Sequence, residues 1–375
     1  MSSSKKHLFL VFHNFGLGGI QKKMVDICNH LVSSNDKNLK ELNCHLVVRE
    51  KSSFSFENQL RNPNCYLHYS PRLPFLNRFK NIFYHFYLLF LIVKYKPQVI
   101  FSFLHFNLPS LISIKILLSL FLKFKIIVSQ DNILSFYNKK PHVKKLFPNW
   151  LISKLYNFVD MILVQTKYAK NDLIKNFRVD PNKIQVVQNW VIDLKPKNRK
   201  KIYDLIYCGR FAKQKNLTEL LSIIKILVKN KPNIKVIMIG DGEEKNKLIA
   251  LIKRWKLESN VKILAPTHNI NKYLEQSRLF ILTSKFEGHP MILLEAMAMK
   301  VVPTLLSYPG CNEYLDDGKE GYIRENKEGL VLVIEKLLSN IKLQKKMGNN
   351  ARKRVLSLNN DSLIDKVLAA VEFID

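Results

Sequence analysis

Two glutamates, Glu287 and Glu295, stand eight positions apart and offer two carboxylates to a ligand. Residues 278–284 before them are predicted to form a buried parallel strand, and Pro290 is well placed to open a helix. Glu287 would then lie on the loop between strand and helix, and Glu295 in the first turns of the helix. Such loops lie at the carboxyl edge of an open α/β sheet, where ligands bind, and a helix N-terminus favours anions. The pattern predicts a ligand with both hydroxyls and an anion, as in a nucleotide sugar, and leaves open a general acid/base pair.

Two cations, Arg210 and Lys215, follow another predicted strand in a loop that begins with Gly209. Gly209 permits a tight turn, and cations beside a helix N-terminus can hold a diphosphate, arginine through two hydrogen bonds and lysine as a point charge. In a basic protein such a pair can equally be part of a solvated surface. It favours a binding site here because the same predicted sheet carries Glu287 and Glu295 at the same edge.

A glycine-rich stretch at residues 13–21 joins the first predicted strand to the first predicted helix. Its glycines would let the backbone approach a phosphate, or would only form a structural turn. Gly16, Gly18 and Gly19 lack the GxGxxG spacing, which disfavours a nicotinamide site. The chain has no Asp-x-Asp pair and no metal-ligand spacing of histidines, so we expect no metal site.

The chain of 375 residues is long enough for two domains, and a hydrophobic content of 47% suffices for their cores. Its five cysteines are scattered and never form a CxxC pair, which argues against a disulfide framework or a zinc site and favours a reducing cytoplasm. Strands and helices alternate on both sides of a basic, proline-containing segment at residues 193–201, which predicts two α/β halves joined by a linker. The predicted strands are residues 7–13, 42–48, 98–103, 125–129 and 160–164 in the first half, and 203–208, 234–239, 261–264, 278–283, 301–305 and 321–323 in the second.

The formal net charge of +30 is unevenly distributed, since residues 1–200 hold 31 Lys and Arg against 10 Asp and Glu. Excess positive charge implies a polyanionic partner, nucleic acid or an anionic membrane surface, unless it reflects compositional drift. Phe79, Phe83, Phe86 and Phe90 recur at helical spacing between basic residues. Such a helix can lie in a membrane interface, or its phenylalanines can pack on their own sheet. No segment reaches the roughly 18 uncharged apolar residues of a transmembrane helix.

Four motifs occur in a fixed order along the chain. They are Gly209-Arg210 with Lys215-Asn216, residues 240–243, residues 284–290 with 294–296, and residues 310–322. In these motifs the chain resembles the retaining GT-B glycosyltransferases of family 4, which are known for a Glu-x7-Glu motif. The resemblance covers nearly the whole length and is strongest between residues 203 and 325.

The resemblance implies an α/β fold of two facing Rossmann-like domains with parallel sheets and an active-site cleft between them. Residues 1–195 would form the acceptor domain, and their positive charge and phenylalanine stripe favour contact with the membrane. Residues 200–358 would form the nucleotide-sugar donor domain. Residues 359–375 would form a last helix that packs back on the first domain.

The resemblance also implies roles for matching residues. Arg210 and Lys215 would hold the donor diphosphate and neutralise the departing nucleotide. Glu287 would contact hydroxyls of the transferred sugar, and Glu295 would contact the ribose. Fixed cations near the diphosphate would stabilise the transition state selectively, because the leaving group gains negative charge as the bond breaks.

Further donor contacts are expected from backbone at Gly209, at His289 and Met291, and from the Gly18-Gly19 loop, which would close over the donor from the other domain. His105 follows the predicted strand at residues 98–103, in a register shifted from the family's usual histidine, which lies near the end of the family's fourth strand. It would contact the donor sugar or be an ordinary loop histidine.

The implied function is the transfer of a hexose or N-acetylhexosamine from a UDP-sugar, with retention of configuration and without a metal or other cofactor. The positive charge of the N-terminal half and the Phe79–Phe90 stripe favour, as acceptor, a lipid-linked or cell-surface glycan in polysaccharide, lipopolysaccharide, O-antigen or capsule biosynthesis. The enzyme would be cytoplasmic, on the inner face of the membrane. One alternative is a nucleotide-sugar epimerase or phosphorylase on the same fold. Another is a non-enzymatic basic module that binds nucleic acid, which the absence of a nucleic-acid-binding motif disfavours.

Overall fold

The computed structural model describes most of the chain, in two compact units. The described residues are 6–14, 19–33, 42–50, 57–71, 80–138, 148–188, 191, 194–197 and 199–358. Those up to Gln188 form the N-terminal unit, and those from Val191 to Leu358 form the C-terminal unit. Gly18, Phe79 and the predicted last helix at residues 359–375 lie outside the described residues.

The N-terminal unit contains a parallel sheet in the strand order β3-β2-β1-β4-β5-β6-β7 within its described part. The strands are β1 (His7–Asn14), β2 (Asn43–Glu50), β3 (Cys65–Tyr69), β4 (Val99–Phe103), β5 (Lys125–Gln130), β6 (Met161–Val164) and β7 (Ile184–Val186). β4 is buried at every residue, as expected of a parallel strand covered on both faces. The edge strands β3 and β7 were not predicted, because no residue of β3 is fully buried and β7 has only three residues.

Helices cover this sheet and connect its strands. They are α1 (Gly19–Ser33), α2 (Lys80–Tyr95), α3 (Leu108–Leu118), α4 (Leu134–Asn138), α5 (Asn149–Phe158) and α6 (Lys167–Phe177). Among the described helices, none is long and apolar enough to cross a membrane.

Helix α2 carries the predicted phenylalanine stripe and turns much of it towards solvent. Tyr84 and Leu88 face the core, whereas Phe86 and Phe90 are 60% and 57% exposed. Phe83 is half-buried. Packing of the stripe on its own sheet is therefore wrong for Phe86 and Phe90, because another face of the helix fills the core.

The C-terminal unit contains a second parallel sheet, in the order β10-β9-β8-β11-β12-β13 within its described part. Its strands are β8 (Tyr203–Cys208), β9 (Val236–Ile239), β10 (Val261–Leu264), β11 (Ser277–Leu282), β12 (Val302–Leu306) and β13 (Tyr322–Arg324). Its helices are α7 (Leu217–Asn230), α8 (Lys245–Arg254), α9 (Ile270–Glu275), α10 (Met291–Ala298), α11 (Lys327–Ser339) and α12 (Ile341–Ser357). The predicted α/β class with two parallel sheets is confirmed.

The strand order of the second sheet reverses between β8 and β11. These strands are neighbours, with Leu279 opposite Leu205 and Phe280 opposite Ile206, although β9 and β10 separate them in sequence. At such a switch point the connections leave in opposite directions, and the carboxyl edge opens a crevice for a ligand. The two loops that follow β8 and β11 are the ones that the sequence selects for chemistry.

Candidate functional site

Lys215 and Glu287 form an ion pair across the switch point. The Lys215 Nζ lies 2.6 Å from Oε1 of Glu287, and the two side chains are only 18% and 6% exposed. The Ser284 hydroxyl donates to the same oxygen. The carboxylate is thus held in one orientation, and the ammonium, which has three N–H donors, is fixed at the mouth of the loop. Ser284 was not predicted as a site residue, and nothing in its spacing marks it.

Further hydrogen bonds join the two loops. The Gln214 side chain donates to the carbonyl of Phe286 (2.8 Å), and the Lys285 N–H donates to the carbonyl of Gln214 (2.9 Å). The Thr283 hydroxyl donates to the carbonyl of Lys215 (3.0 Å). These bonds fix the backbone on both sides of the ion pair, so its geometry is set by the fold before a ligand arrives.

Helix α10 begins directly after this loop. Pro290 is its N-cap and Met291 its first residue, as predicted from the proline. The first N–H groups of a helix have no intrahelical acceptor and favour an anion. Glu295 lies one turn further and is buried, with 4% exposure. The structure therefore places Glu287, Met291 and Glu295 along one segment, on the loop and first turns that the sequence predicts.

Tyr314 holds the loop between Glu287 and α10. Its hydroxyl donates to the carbonyl of Gly288, and its ring packs edge-to-face on buried His289 at 4.8 Å between centroids. Burial raises the pKa of the Tyr314 hydroxyl well above its usual value, and the negative charge of Glu287 adds to this. Tyr314 is therefore a protonated donor at neutral pH. It lies inside the fourth sequence motif, but no role was predicted for it.

Gly209, directly after β8, and Gly240, directly after β9, leave no room for a side chain. Gly209 has φ of +154°, and a Cβ there would lie 2.9 Å from the Tyr207 hydroxyl. That hydroxyl donates to the carbonyl of Arg210 (3.1 Å). A Cβ on Gly240 would lie 2.0 Å from the carbonyl oxygen of Gly209. Arg210 is exposed on this loop, where its guanidinium can meet a ligand from solvent.

A surface depression of about 390 Å³ adjoins the loops that carry Lys215 and Glu287. Asn216, Thr283 and Ser284 are among its lining residues. Its charged lining residues carry both signs: Glu219, Lys285, Glu325, Lys327 and Glu328. The depression thus lacks the one-sided positive charge that Arg210 and Lys215 give to the β8 loop, and the loop is the better place for an anion.

Two predicted residues belong to the N-terminal unit. Gly19 is the exposed first residue of α1. His105 is buried in a short 3-10 turn after β4, and burial lowers its pKa to about 4, although a hydrogen bond with the Gln130 side chain acts in the opposite direction. His105 is therefore neutral at pH 7. Its contact with the donor sugar stays a prediction.

A buried ion pair at the carboxyl edge of the first sheet was not predicted. Lys23 on α1 pairs with Asp131, which directly follows β5, and the side chains are 1% and 8% exposed. The Ser129 hydroxyl donates to the other Asp131 oxygen (3.0 Å). The position of Asp131 after a buried strand is a signal that could have identified it. Lys23 gives no such signal, since it looks like any helix lysine.

Two family models match the chain and together span most of it. Residues 17–193 match Glycosyltransferase Family 4, and residues 189–354 match Glycosyl transferases group 1.

Proteins similar to this chain include several glycosyltransferases. One is the N-acetylgalactosamine-N,N'-diacetylbacillosaminyl-diphospho-undecaprenol 4-alpha-N-acetylgalactosaminyltransferase of Campylobacter jejuni, 26% identical over 92% of this chain and 94% of that protein. Another is the poly(ribitol-phosphate) alpha-N-acetylglucosaminyltransferase of Staphylococcus aureus, 28% identical over 56% of this chain and 44% of that protein.

Solved structures share the fold at low identity. Anabaena HepE, in complex with UDP and glucose, superposes with a TM-score of 0.79 at 15% identity, over 97% of this chain and all of that one. Staphylococcus aureus TarM, in a complex that contains UDP, gives a TM-score of 0.76 at 13% identity over 98% and 99% of the two chains. The two family models together show that the chain belongs to the group 1 glycosyltransferases, and the solved structures show its GT-B fold.

Proposed function

We propose that this glycosyltransferase transfers a hexose or N-acetylhexosamine from a UDP-sugar, with retention of configuration, to a lipid-linked or cell-surface glycan. The observation that carries the proposal is the preorganised Lys215–Glu287 pair at the switch point, beside the N-terminus of α10. A diphosphate at this edge would meet Lys215, Arg210 and the helix N-terminus. Hydroxyls of the sugar would meet the Glu287 carboxylate. UDP in the complexes of Anabaena HepE and Staphylococcus TarM supports a uridine donor.

In the proposed mechanism the cations act on the leaving group. As the glycosidic bond breaks, negative charge grows on the diphosphate. Lys215 and Arg210 therefore stabilise the transition state more strongly than the ground state. Glu287 already accepts hydrogen bonds from Lys215 and Ser284. Its carboxylate is therefore better suited to positioning the sugar than to acting as a nucleophile. Retention then follows from attack on the face that the diphosphate leaves, with a leaving-group oxygen as base. No metal is needed at the diphosphate, because the two cations supply the charge.

A donor screen tests this proposal. The purified full chain is incubated without acceptor with a set of nucleotide sugars, and release of nucleotide is measured with and without EDTA. We expect hydrolysis of one UDP-sugar, unaffected by EDTA, and its loss in Glu287→Ala and in Lys215→Ala. Lys213→Ala and Glu258→Gln, which change exposed charges of the same unit, are matched controls and should keep the activity.

Other outcomes would contradict the proposal. Unchanged turnover in both Glu287→Ala and Lys215→Ala would reject the assigned site. An epimerised donor formed without acceptor would indicate an epimerase, and a strict need for inorganic phosphate would indicate a phosphorylase. Inversion at the anomeric carbon of the product, detected by NMR, would reject the retaining mechanism.

We further propose that the N-terminal unit binds an anionic membrane surface, where a lipid-linked acceptor would be presented. Helices α2 and α3 pack together and expose apolar side chains, including Phe86, Phe90, and, just after α3, Leu120 (88% exposed) and Phe121 (85% exposed). Exposed lysines flank them, at positions 94, 96 and 123. Apolar side chains among basic ones match a surface of acyl chains beneath anionic headgroups.

Vesicle sedimentation tests this surface. The full chain should bind vesicles of phosphatidylglycerol and phosphatidylcholine, and bind phosphatidylcholine alone more weakly. Leu120→Ser with Phe121→Ser should reduce binding at least tenfold. Leu332→Ser, at a 67% exposed position on α11, is the control and should bind as wild type does. Equal binding by the double variant would reject the surface while leaving the donor site untouched.

A further inference from the structure

Three cysteines of the N-terminal unit converge although they are far apart in sequence. Cys28 lies on α1, Cys44 is the second residue of β2, and Cys65 is the first residue of β3. Cys44 and Cys65 are direct neighbours in the parallel register, and α1 packs Cys28 over them. Cys28 and Cys44 are fully buried, whereas Cys65 is half-buried at the edge of the sheet. The cluster lies at the amino ends of its strands, away from the carboxyl edge where α/β sheets bind substrates.

The spacing of the sulfurs suits a metal ion. All three Sγ atoms lie within 4.8 Å of one another, and those of Cys28 and Cys44 are 3.1 Å apart. Zinc–sulfur bonds of about 2.3 Å in a tetrahedral site place the sulfurs about 3.8 Å apart. The Cys28–Cys44 distance is shorter than this value and no pair exceeds 4.8 Å, so side-chain shifts of about 1 Å or less would bring the three sulfurs onto one ion.

We propose that Cys28, Cys44 and Cys65 form a binding site for a thiophilic cation, Zn²⁺ or Cu⁺, that ties α1 to β2 and β3. Thiolate ligands select these ions over Mg²⁺ or Ca²⁺. Three sulfurs satisfy trigonal Cu⁺, and they leave the fourth position of tetrahedral Zn²⁺ to a small exogenous ligand. Because Cys65 borders the surface, the ion can enter from that side.

Metal binding would be coupled to proton release. A cysteine ligates a metal ion as the thiolate, so any of the three thiols that is protonated before binding would release its proton to solvent.

Metal analysis and titration test the site. The full chain is purified under a non-thiol reductant, and bound zinc and copper are measured by mass spectrometry. The metal-free protein is then titrated separately with Zn²⁺, Cu⁺ and the spectroscopic probe Cd²⁺, whose thiolate charge-transfer band reports sulfur ligation. We expect one equivalent of metal, a thiolate band at one equivalent of Cd²⁺, and a higher melting temperature with the ion that the site prefers.

Variants separate the cluster from the other cysteines. Cys65→Ala, at the half-buried position, should weaken binding at least tenfold while leaving the circular dichroism spectrum unchanged. Cys208→Ala and Cys311→Ala, in the C-terminal unit, are controls that should bind as wild type does. If Cys65→Ala does not fold, alkylation of the wild type decides. Bound metal should protect Cys65, and not Cys208, as read by peptide mass spectrometry.

The contrary outcomes are distinct. A folded wild type that takes up no metal would show that the three thiols only pack as small apolar groups. Equal binding by Cys65→Ala would place the metal elsewhere. Either result leaves the proposed sugar transfer untouched, because the readout is bound metal and not turnover.

Discussion

The ammonium nitrogen of Lys215 lies 2.6 Å from the Oε1 atom of Glu287, although 72 positions separate the two residues. On the proposed roles, a donor meets both groups at once, the diphosphate at the ammonium and the sugar at the carboxylate. The two side chains should therefore act as one unit in catalysis.

The first prediction concerns this pair. Lys215→Met and Glu287→Gln should each lower donor kcat by about 10²–10³, the usual cost of losing one preorganised transition-state contact. The kcat of the double variant should be only slightly below that of the less active single variant, since the effects of residues that act as one unit are not additive. Kinetics of all four proteins, with the donor found in the screen, provide the measurement. Strictly additive losses would show that the two groups act independently.

Tyr314 should support the site through the loop that it holds. Tyr314→Phe removes the hydrogen bond to the carbonyl of Gly288 and should cost about 1–2 kcal/mol of unfolding free energy. Donor kcat should fall about tenfold, because the loop beside Glu287 loses its fixed position. The control is Tyr308→Phe, since the buried Tyr308 hydroxyl has no hydrogen-bond partner among the described residues. Urea denaturation and steady-state kinetics should show a clear loss in the first variant and almost none in the second.

Gly240 should tolerate no side chain. A Cβ there would lie 2.0 Å from the carbonyl oxygen of Gly209, at the start of the loop that carries Arg210 and Lys215. Gly240→Ala should therefore cost about 3 kcal/mol and lower donor turnover as well. Gly318→Ala introduces a side chain at φ of +79° with open space around it, so it should cost only about 1 kcal/mol and spare turnover. Equal stabilities of the two variants would refute the close approach of the two loops.

The buried Lys23–Asp131 pair should matter far more than an exposed one. Lys23→Met leaves the Asp131 charge unpaired in the interior and should cost about 3–5 kcal/mol. Lys115→Met breaks a pair with Asp160 in which the side chains are 24% and 38% exposed, and should cost under about 1 kcal/mol. Chemical denaturation of the two variants measures the difference. Similar losses would mean that solvent reaches the first pair.

Acid should destabilise the N-terminal unit through His45. Its ring nitrogens lie 2.8 Å from His7 Nδ1 and 2.9 Å from His68 Nε2, and burial followed by these neighbours lowers its pKa from 6.5 to about 3. Between those values the unfolded state binds a proton that the folded state does not, so stability present above pH 6.5 is lost as the pH falls towards 3. Melting temperatures from pH 7 to 4 should fall less steeply in His45→Gln. His30→Gln, at an exposed position, should keep the wild-type slope.

Strands with continuous apolar runs were predictable from the sequence, because burial on both faces of a parallel sheet demands such runs. β4 and β11 are buried along almost their whole length, and each of their observed ends lies within one residue of the predicted one. The edge strand β3 was missed because it is short and none of its five residues is fully buried.

The sequence predicted which edge of the sheet carries the site residues, but not which of their side chains contact each other. Rules for α/β sheets place Lys215 and Glu287 at the same edge, but their direct pairing depends on the bonds of Gln214 and Thr283 across the two loops. The cysteine cluster was invisible for a similar reason. Spacing rules detect ligands within one turn or hairpin, whereas Cys28, Cys44 and Cys65 meet through a helix and two parallel strands.

The reversal of strand order between β8 and β11 also sets when the site can exist during synthesis. β8, β9 and β10 can pair as soon as they leave the ribosome, but the neighbour on the other side of β8 is made later, after α9. Until β11 pairs with β8, Lys215 lacks its Glu287 partner, and the edge of β8 that β11 later occupies is unpaired. That strand edge therefore stays unpaired while about 70 residues are translated, for roughly 4–14 s at about 5–20 residues per second.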